Sequence, residues 1–298
     1  MNRRKFIYNS SIASLSVLGL NSCNQLFRDV KITILHTNDV HSQIEPFPFN
    51  HNRFPNRGGF ARRASIFNEI RSANPNTLIF DAGDIFQGTP YFNFFKGELE
   101  LKLMKEMGYN AATIGNHEFD AGLYTLKKNI LNTNFQFIIS NYDFGNTELE
   151  GLTTPYKIYK KEGVKIGVFG LGIQLRGLVN PYLYKETKYY DPVEISDEMV
   201  KILKYEKKCD LVICVSHLGH EYNSNKVSDT KLAQLTSDID LIIGGHTHTF
   251  LKEPVILKNK KNNNVIINQV GSGGVYLGRI DFNFTNSSKS DTNSLLEV

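Results

Sequence analysis

Thr37-Asn38-Asp39-Val40-His41 follows the largely apolar run Lys31 to His36 and breaks it with a carboxylate and an imidazole two residues apart. The same change recurs four times. Asp81-Ala82-Gly83-Asp84 follows Thr77 to Phe80, and Gly115-Asn116-His117 follows Ala111 to Ile114. Ser216-His217 follows Leu211 to Val215, and Gly244-Gly245-His246-Thr247-His248 follows Leu241 to Ile243. Short apolar runs read as buried strands, and in α/β folds the loops beyond their carboxyl ends build the ligand site. Five strand ends therefore deliver oxygen and imidazole nitrogen ligands to one cleft.

Strands are expected at Lys31 to His36, Thr77 to Phe80, Ala111 to Ile114, Phe135 to Ser140, Val164 to Phe169, Leu211 to Val215 and Leu241 to Ile243. Further β structure is expected near Val265 to Gln269 and Val275 to Phe284. Helical periodicity lies between them, at Gly59 to Ser72, Glu98 to Met107, Tyr124 to Leu131 and Ile195 to Lys207, with Asp191-Pro192 as a helix start. This alternation implies one α/β domain with largely parallel strands over residues 31–284. Residues 285–298 are rich in Ser and Asn near their start and are expected to be a frayed polar tail.

The net charge of +4 is concentrated at the amino terminus. Residues 1–22 contain Arg3, Arg4 and Lys5 and no acid, which leaves 31 basic and 30 acidic side chains of the 34 and 30 in the chain. That balance implies no nucleic-acid-binding stripe. The paired arginines, the apolar stretch Ile12 to Leu20 and Leu20-Asn21-Ser22-Cys23 together read as a twin-arginine export signal with a lipobox. Cys23 is then the expected lipidation site, residues 23–30 a linker to the anchor, and the periplasm or cell envelope the expected location. The apolar stretch is too short for a stable membrane span, so lipid would be the anchor. Cys209 and Cys214 lie five apart without zinc-ribbon spacing and read as small packing side chains. Any metal is expected to be held without thiolates.

Asp39 and His41, at i and i+2 beyond a strand, point to the same side and can hold one ion. Asp84, with two oxygens, suits a ligand shared between two ions. Asn116, His217 and His246 suit the second ion, and His248 returns to the first. Mixed oxygen and imidazole donors favour two divalent ions such as Mn²⁺, Zn²⁺ or Fe²⁺. Such a pair, about 3.5–4 Å apart, activates water and neutralises phosphoryl oxygens in phosphate ester hydrolysis. His117 is expected to face substrate and protonate the leaving oxygen, with Asp120 three residues on fixing its orientation. Asp81, His36 and His220 lie near these blocks without an evident role. Phe47, Phe49, Phe54, Arg53 and Arg57 read as a surface loop with partly buried rings, substrate contact being the alternative.

The blocks Asp39-x-His41, Gly83 to Gly88, Gly115 to Asp120, Ser216 to Gly219 and Gly244 to His248, in this order, resemble those of the calcineurin-like metallophosphoesterase superfamily. Within it, Gly58 to Arg62, Phe86 to Asn93, Phe95 to Glu98 and Gly274 to Gly278 resemble the catalytic domain of bacterial 5′-nucleotidases and UDP-sugar hydrolases. The resemblance spans Ile32 to Phe284. It implies a four-layer α/β/β/α sandwich, a dinuclear centre on the residues just named, and a nucleotide or related phosphate ester as substrate. Nucleotide-sugar, diphosphate or cyclic phosphodiester substrates are the alternative, and a non-enzymatic nucleotide-binding subunit is disfavoured because no expected ligand is missing. Members of the family usually continue into a second domain that selects the nucleotide. Either a separately encoded chain supplies that domain here, or the enzyme accepts a wider range of esters.

Overall fold

The computed structural model describes residues 29–285 and 288–298. The expected export segment and Cys23 lie outside the described residues. In chain order come β1 (Val30–Thr37), α1 (Phe60–Ala73), β2 (Thr77–Asp81), α2 (Pro90–Phe95), α3 (Glu98–Met107), β3 (Ala111–Ala112), α4 (Gly122–Leu131) and β4 (Gln136–Phe137). Then follow β5 (Tyr142–Asp143), β6 (Tyr156–Lys161), β7 (Val164–Leu171), α5 (Pro181–Tyr184), β8 (Lys188–Tyr189) and α6 (Pro192–Val200). The remaining elements are β9 (Leu211–Ser216), α7 (Asp229–Leu235), β10 (Leu241–Ile243), β11 (Val255–Lys258), β12 (Asn264–Asn268), β13 (Tyr276–Phe284) and β14 (Lys289–Glu297).

Two six-stranded sheets result, ordered β14-β13-β1-β2-β3-β4 and β11-β12-β10-β9-β7-β6. In the first, β1 to β4 run parallel while β13 and β14 are antiparallel additions. In the second, β12, β10, β9 and β7 run parallel, with β11 and β6 as antiparallel edges. Because strand side chains alternate between faces, each sheet divides its apolar residues between two cores. Ile32, Ile34, Leu78 and Phe80 of the first sheet meet Ile166, Val168, Ile213 and Ile243 of the second. Leu35 and Ile79 face the other way, onto Phe67 of α1, Met104 of α3 and Leu126 of α4. Val212, Cys214 and Ile242 face Met199 of α6 and Leu232 of α7. The result is four layers, helices–sheet–sheet–helices, the α/β/β/α sandwich implied by the sequence.

Local signals account for the helices that carry these layers. Phe60, Phe67 and Ile70 line the buried stripe of α1. Gly108, in the left-handed region at φ 72°, ends α3. Asp191 caps α6 by accepting N–H bonds from Val193 and Glu194, with Pro192 at the first helical position. Beyond Val200 the helix widens into a π-helical segment, Lys201–Glu206.

One expectation is overturned. Residues 289–297, read as part of a frayed tail, form β14, which pairs with β13 from Tyr276↔Glu297 to Phe284↔Lys289. An edge strand needs main-chain partners more than an apolar face, and polar side chains suit its solvent-facing side. Only Leu295 and Leu296 are partly covered, and the buried Val298 exchanges main-chain bonds with Gly58 and Val275. Two expected strands are also shorter than predicted: only Ala111–Ala112 and Gln136–Phe137 are regular. The edge strands β6, where Lys interrupts the apolar residues, and β11, whose apolar run is only Val255 to Leu257, were not foreseen.

Candidate metal centre

All four parallel strands that precede the ligand-bearing blocks at β1, β2, β9 and β10 end at one edge of the sandwich, with the loop after β3 beside them. The parallel pairing of β1 with β2 continues into the loops: Asp39 N donates to Gly83 O (2.9 Å), His41 N to Asp84 O (3.1 Å) and Ser42 N to Ile85 O (2.8 Å). These bonds hold a backbone that has left the strand conformation. Asp39, His41, Asp84, His246 and His248 all adopt positive φ, between 49° and 72°. None is glycine, so the conformation is costly and persists only where surrounding contacts over-determine it.

The structure brings the expected ligands into two groups. Asp39, His41 and His248 form one and Asp84, His217 and His246 the other, with donor atoms inside each group within 4.8 Å of one another. In the first, His248 Nε2 is 3.3 Å from Asp39 Oδ1 and 2.9 Å from His41 Nε2. In the second, His217 Nε2 is 3.1 Å from Asp84 Oδ2. Asn116 Oδ1 joins this group, 2.9 Å from His246 Nδ1. Asp39 also ties the groups together, because its carboxylate accepts the His246 backbone N–H at 3.0 Å.

Tautomers favour a cation at both places. His217 Nδ1 donates to Ala82 O (2.6 Å), and His41 Nδ1 points at Phe86 O and Gln87 O (3.2 and 3.1 Å). Each imidazole is thereby left with its Nε2 lone pair facing the cluster, the arrangement that carbonyl partners impose on metal-binding histidines. His217 Nε2 is buried and faces the Asp84 carboxylate at 3.1 Å. Charge balance points the same way. Burial pushes His246 down to about 3 and lowers His41, so both are neutral donors at neutral pH. Burial also opposes charge on His217, but the facing Asp84 carboxylate raises it to about 10. A proton there occupies the gap between two donors that a divalent ion would fill. The residues therefore fit two ions held by oxygen and nitrogen alone.

Close approach of the loops leaves no room for side chains at two glycines. A Cβ on Gly115 would lie 2.3 Å from Asp84 Oδ1, and one on Gly83 would lie 2.6 Å from Gly115 N. His117, next to Asn116, opens a short 3₁₀ turn and points its half-buried ring toward the first group, 5.2 Å from the His41 ring. Its Nδ1 donates to Asp120 Oδ2 at 2.7 Å. Burial works against a charged ring, yet the Asp120 bond and the Asp84 carboxylate together raise His117 above the usual histidine value.

The other residues fall into place around this centre. Asp81 braces its own turn, accepting from Gly83 N (2.9 Å) and Thr37 Oγ1 (2.5 Å). His36 is buried between the sheets against Asn268. His220 is bonded through its main chain to Thr247 Oγ1. Phe47, His51, Phe54 and Tyr276 pack ring against ring, while Arg57 is engaged by Glu297 (2.8 Å) and Tyr276. Two buried carboxylates beside the centre escaped the sequence reading. Glu118 accepts four backbone N–H groups, and Asp229 accepts the Ser216 hydroxyl behind His217. Glu118 stands inside the Gly115 to Asp120 block, but nothing in its spacing says that it faces main chain.

Residues 32–250 match the family model described as calcineurin-like phosphoesterase. A snake venom 5′-nucleotidase of Gloydius brevicauda is 32% identical over 89% of this chain and 48% of its own length. The trifunctional nucleotide phosphoesterase protein of Bacillus subtilis is 30% identical over 85% of this chain and 18% of its own. Among solved structures, a 5′-nucleotidase precursor from Thermus thermophilus superposes with a TM-score of 0.80 at 28% identity, covering 90% of this chain and 55% of that one. The chain thus spans about half the length of the nucleotidases it matches.

Proposed function

The chain belongs to the calcineurin-like phosphoesterase family, and on that premise we propose that it is an exported phosphohydrolase that uses two divalent ions to release phosphate from nucleoside 5′-monophosphates. The observation that carries this reading is the His117–Asp120 pair, held at 2.7 Å beside two separate groups of metal-type donors. Asp39, His41 and His248 would hold one ion, Asn116, His217 and His246 the other, with Asp84 between them. Bound there, the ions would activate water and neutralise phosphoryl charge. Mn²⁺, Zn²⁺ and Fe²⁺ suit this donor set.

The remaining chemistry belongs to the chain. His117 holds a proton at Nε2 for the leaving oxygen, since Nδ1 is engaged by Asp120. Asp120 fixes the ring and favours its charged form. The left-handed backbone at five ligand positions presets the donors before substrate arrives.

Arg3, Arg4 and Cys23 support export and lipid anchoring at the envelope. A second reading, hydrolysis of nucleotide diphosphates or cyclic phosphodiesters, draws support from the likeness to the trifunctional phosphoesterase. Phosphate release by the Mn²⁺-loaded protein from AMP, UMP, ADP and UDP-glucose, alongside cleavage of bis-p-nitrophenyl phosphate, separates the two. Turnover of monophosphates that collapses in His117→Ala supports the first reading. Preference for the diester or diphosphates supports the second, and no turnover with Mn²⁺, Zn²⁺ or Fe²⁺ contradicts both.

A further inference from the structure

Glu118 directly follows His117, yet its side chain is fully buried among main-chain groups. Its Oε2 accepts N–H bonds from Asp84 (2.9 Å) and Gly115 (2.6 Å), and its Oε1 accepts from Ile85 (2.7 Å) and Phe86 (3.3 Å). One oxygen therefore joins two loops that leave different strands, β2 and β3. The partners are the residue in the shared-ligand position and the one preceding Asn116. An ionised carboxylate is the acceptor that makes such bonds strong.

A second bond crosses the same gap, from His117 N to Asp84 Oδ1 at 2.8 Å. Asp84 is thus clamped to the Gly115–His117 turn twice, through its main chain by Glu118 and through its side chain by His117 N. The gap has no slack, because Gly115 has no room for a Cβ against Asp84 Oδ1. The Asp39, His41 and His248 group is braced differently. Asp39 is held by Asn38 Nδ2 (2.6 Å), by His246 N and by the Gly273 N–H to its carbonyl (2.8 Å). Glu118 reaches that group only through main chain: His41 N meets Asp84 O (3.1 Å), Ser42 N meets Ile85 O (2.8 Å), and the Phe86 carbonyl meets His41 Nδ1 (3.2 Å).

We propose that Glu118 is a positioning residue that sets the separation of Asp84 from Asn116, and so governs the ion held with His217 and His246 more strongly than the ion at Asp39, His41 and His248. This rests on the two-ion reading above. Replacing Glu118 by Gln puts an NH₂ group where one oxygen stood, leaving two of the four N–H donors facing another donor. With the NH₂ at the Oε2 position the two loops lose their shared acceptor, and with it at Oε1 the loop after β2 loses two of its three bonds to the side chain, at an unchanged side-chain volume.

The test is Mn²⁺ binding by titration calorimetry, with electron paramagnetic resonance to detect exchange coupling between paired ions, on wild type and Glu118→Gln. The buried Glu100, whose oxygens accept no N–H from either loop, supplies the control Glu100→Gln. Wild type and the control bind two coupled ions. Glu118→Gln weakens one affinity by about 10–100-fold, the range seen when outer partners of metal ligands are removed, and the other by distinctly less. The coupling signal fades at sub-saturating Mn²⁺, while kcat returns to within a few-fold of wild type at saturation. Glu118→Asp, which keeps the charge on a shorter arm, shifts the same affinity by less and stands in if the Gln variant does not fold. Unchanged affinities, or equal weakening of both, overturn the proposal. A wild type that binds fewer than two ions overturns the two-ion reading itself, and the proposal with it.

Discussion

The two donor groups share their chemistry and differ in enclosure. In the Asp84 group, the His217 side chain is 0% exposed and the carboxylate 2%. In the Asp39 group, the carboxylate is equally buried but the His248 side chain is 46% exposed. Loops pack too closely for a Cβ beside both groups, at Gly83 and Gly115 for the sealed one and at Gly88, where it would lie 2.7 Å from His41 O, for the open one, so the difference lies in His248, which meets solvent. Equal ligands in unequal surroundings should bind with unequal affinity and exchange, because burial limits both water access and ligand movement. With two ions bound, the sealed group would be the standing half of the centre and the open group the half that loads and empties.

Asp84→Asn is the severest way to break this difference, since the shared position serves both sides. Both affinities should fall and phosphate release drop to background, and calorimetry that still finds two ions would remove Asp84 from the shared role. His117→Ala should cost about 10²–10⁴ in kcat, the usual range for a general acid, while calorimetry still finds both ions. Asp120→Asn should act more mildly and shift the pH profile. The Asp120 bond raises the His117 pKa, so activity that needs the protonated ring is lost as pH rises through that pKa. Without Asp120 the alkaline limb of the kcat profile moves to lower pH, and an unmoved limb would separate the pair functionally.

Single-ligand changes sharpen the comparison further. His248→Ala should be rescued by excess Mn²⁺, because water can take the vacated place in the open group. His217→Ala should not be rescued, since it leaves a buried carboxylate without its partner. Gly115→Ala should displace the Asp84 carboxylate, costing about 1–3 kcal/mol by overpacking, readable as a lowered urea midpoint. Arg57→Ala is the smallest change. It removes an exposed ion pair worth at most about 1 kcal/mol and should leave KM for AMP unchanged. A raised KM would make the 47–57 loop a substrate surface.

Much of this architecture could be read from residue patterns, and the misses have physical reasons. Buried parallel strands are apolar on both faces, so β1, β2, β9 and β10 announced themselves, and the abrupt polar residues after them marked the cleft. The edges did not. Polar β14 is held by main-chain pairing to β13, which side-chain pattern does not encode. The candidate ligand positions were legible as residue types, whereas their left-handed backbone was not, because no glycine marks it at Asp39, His41 or Asp84. Glu118 was invisible for a related reason. Its partners are backbone N–H groups, which every residue carries.

The most direct test of the two-group account is a Mn²⁺ titration of the purified metal-free protein, followed by calorimetry and by phosphate release from AMP at each addition. The account predicts two ions of clearly different affinity, with turnover appearing only as the weaker, exposed position fills. A single bound ion at full activity, or two ions of equal affinity, would contradict it.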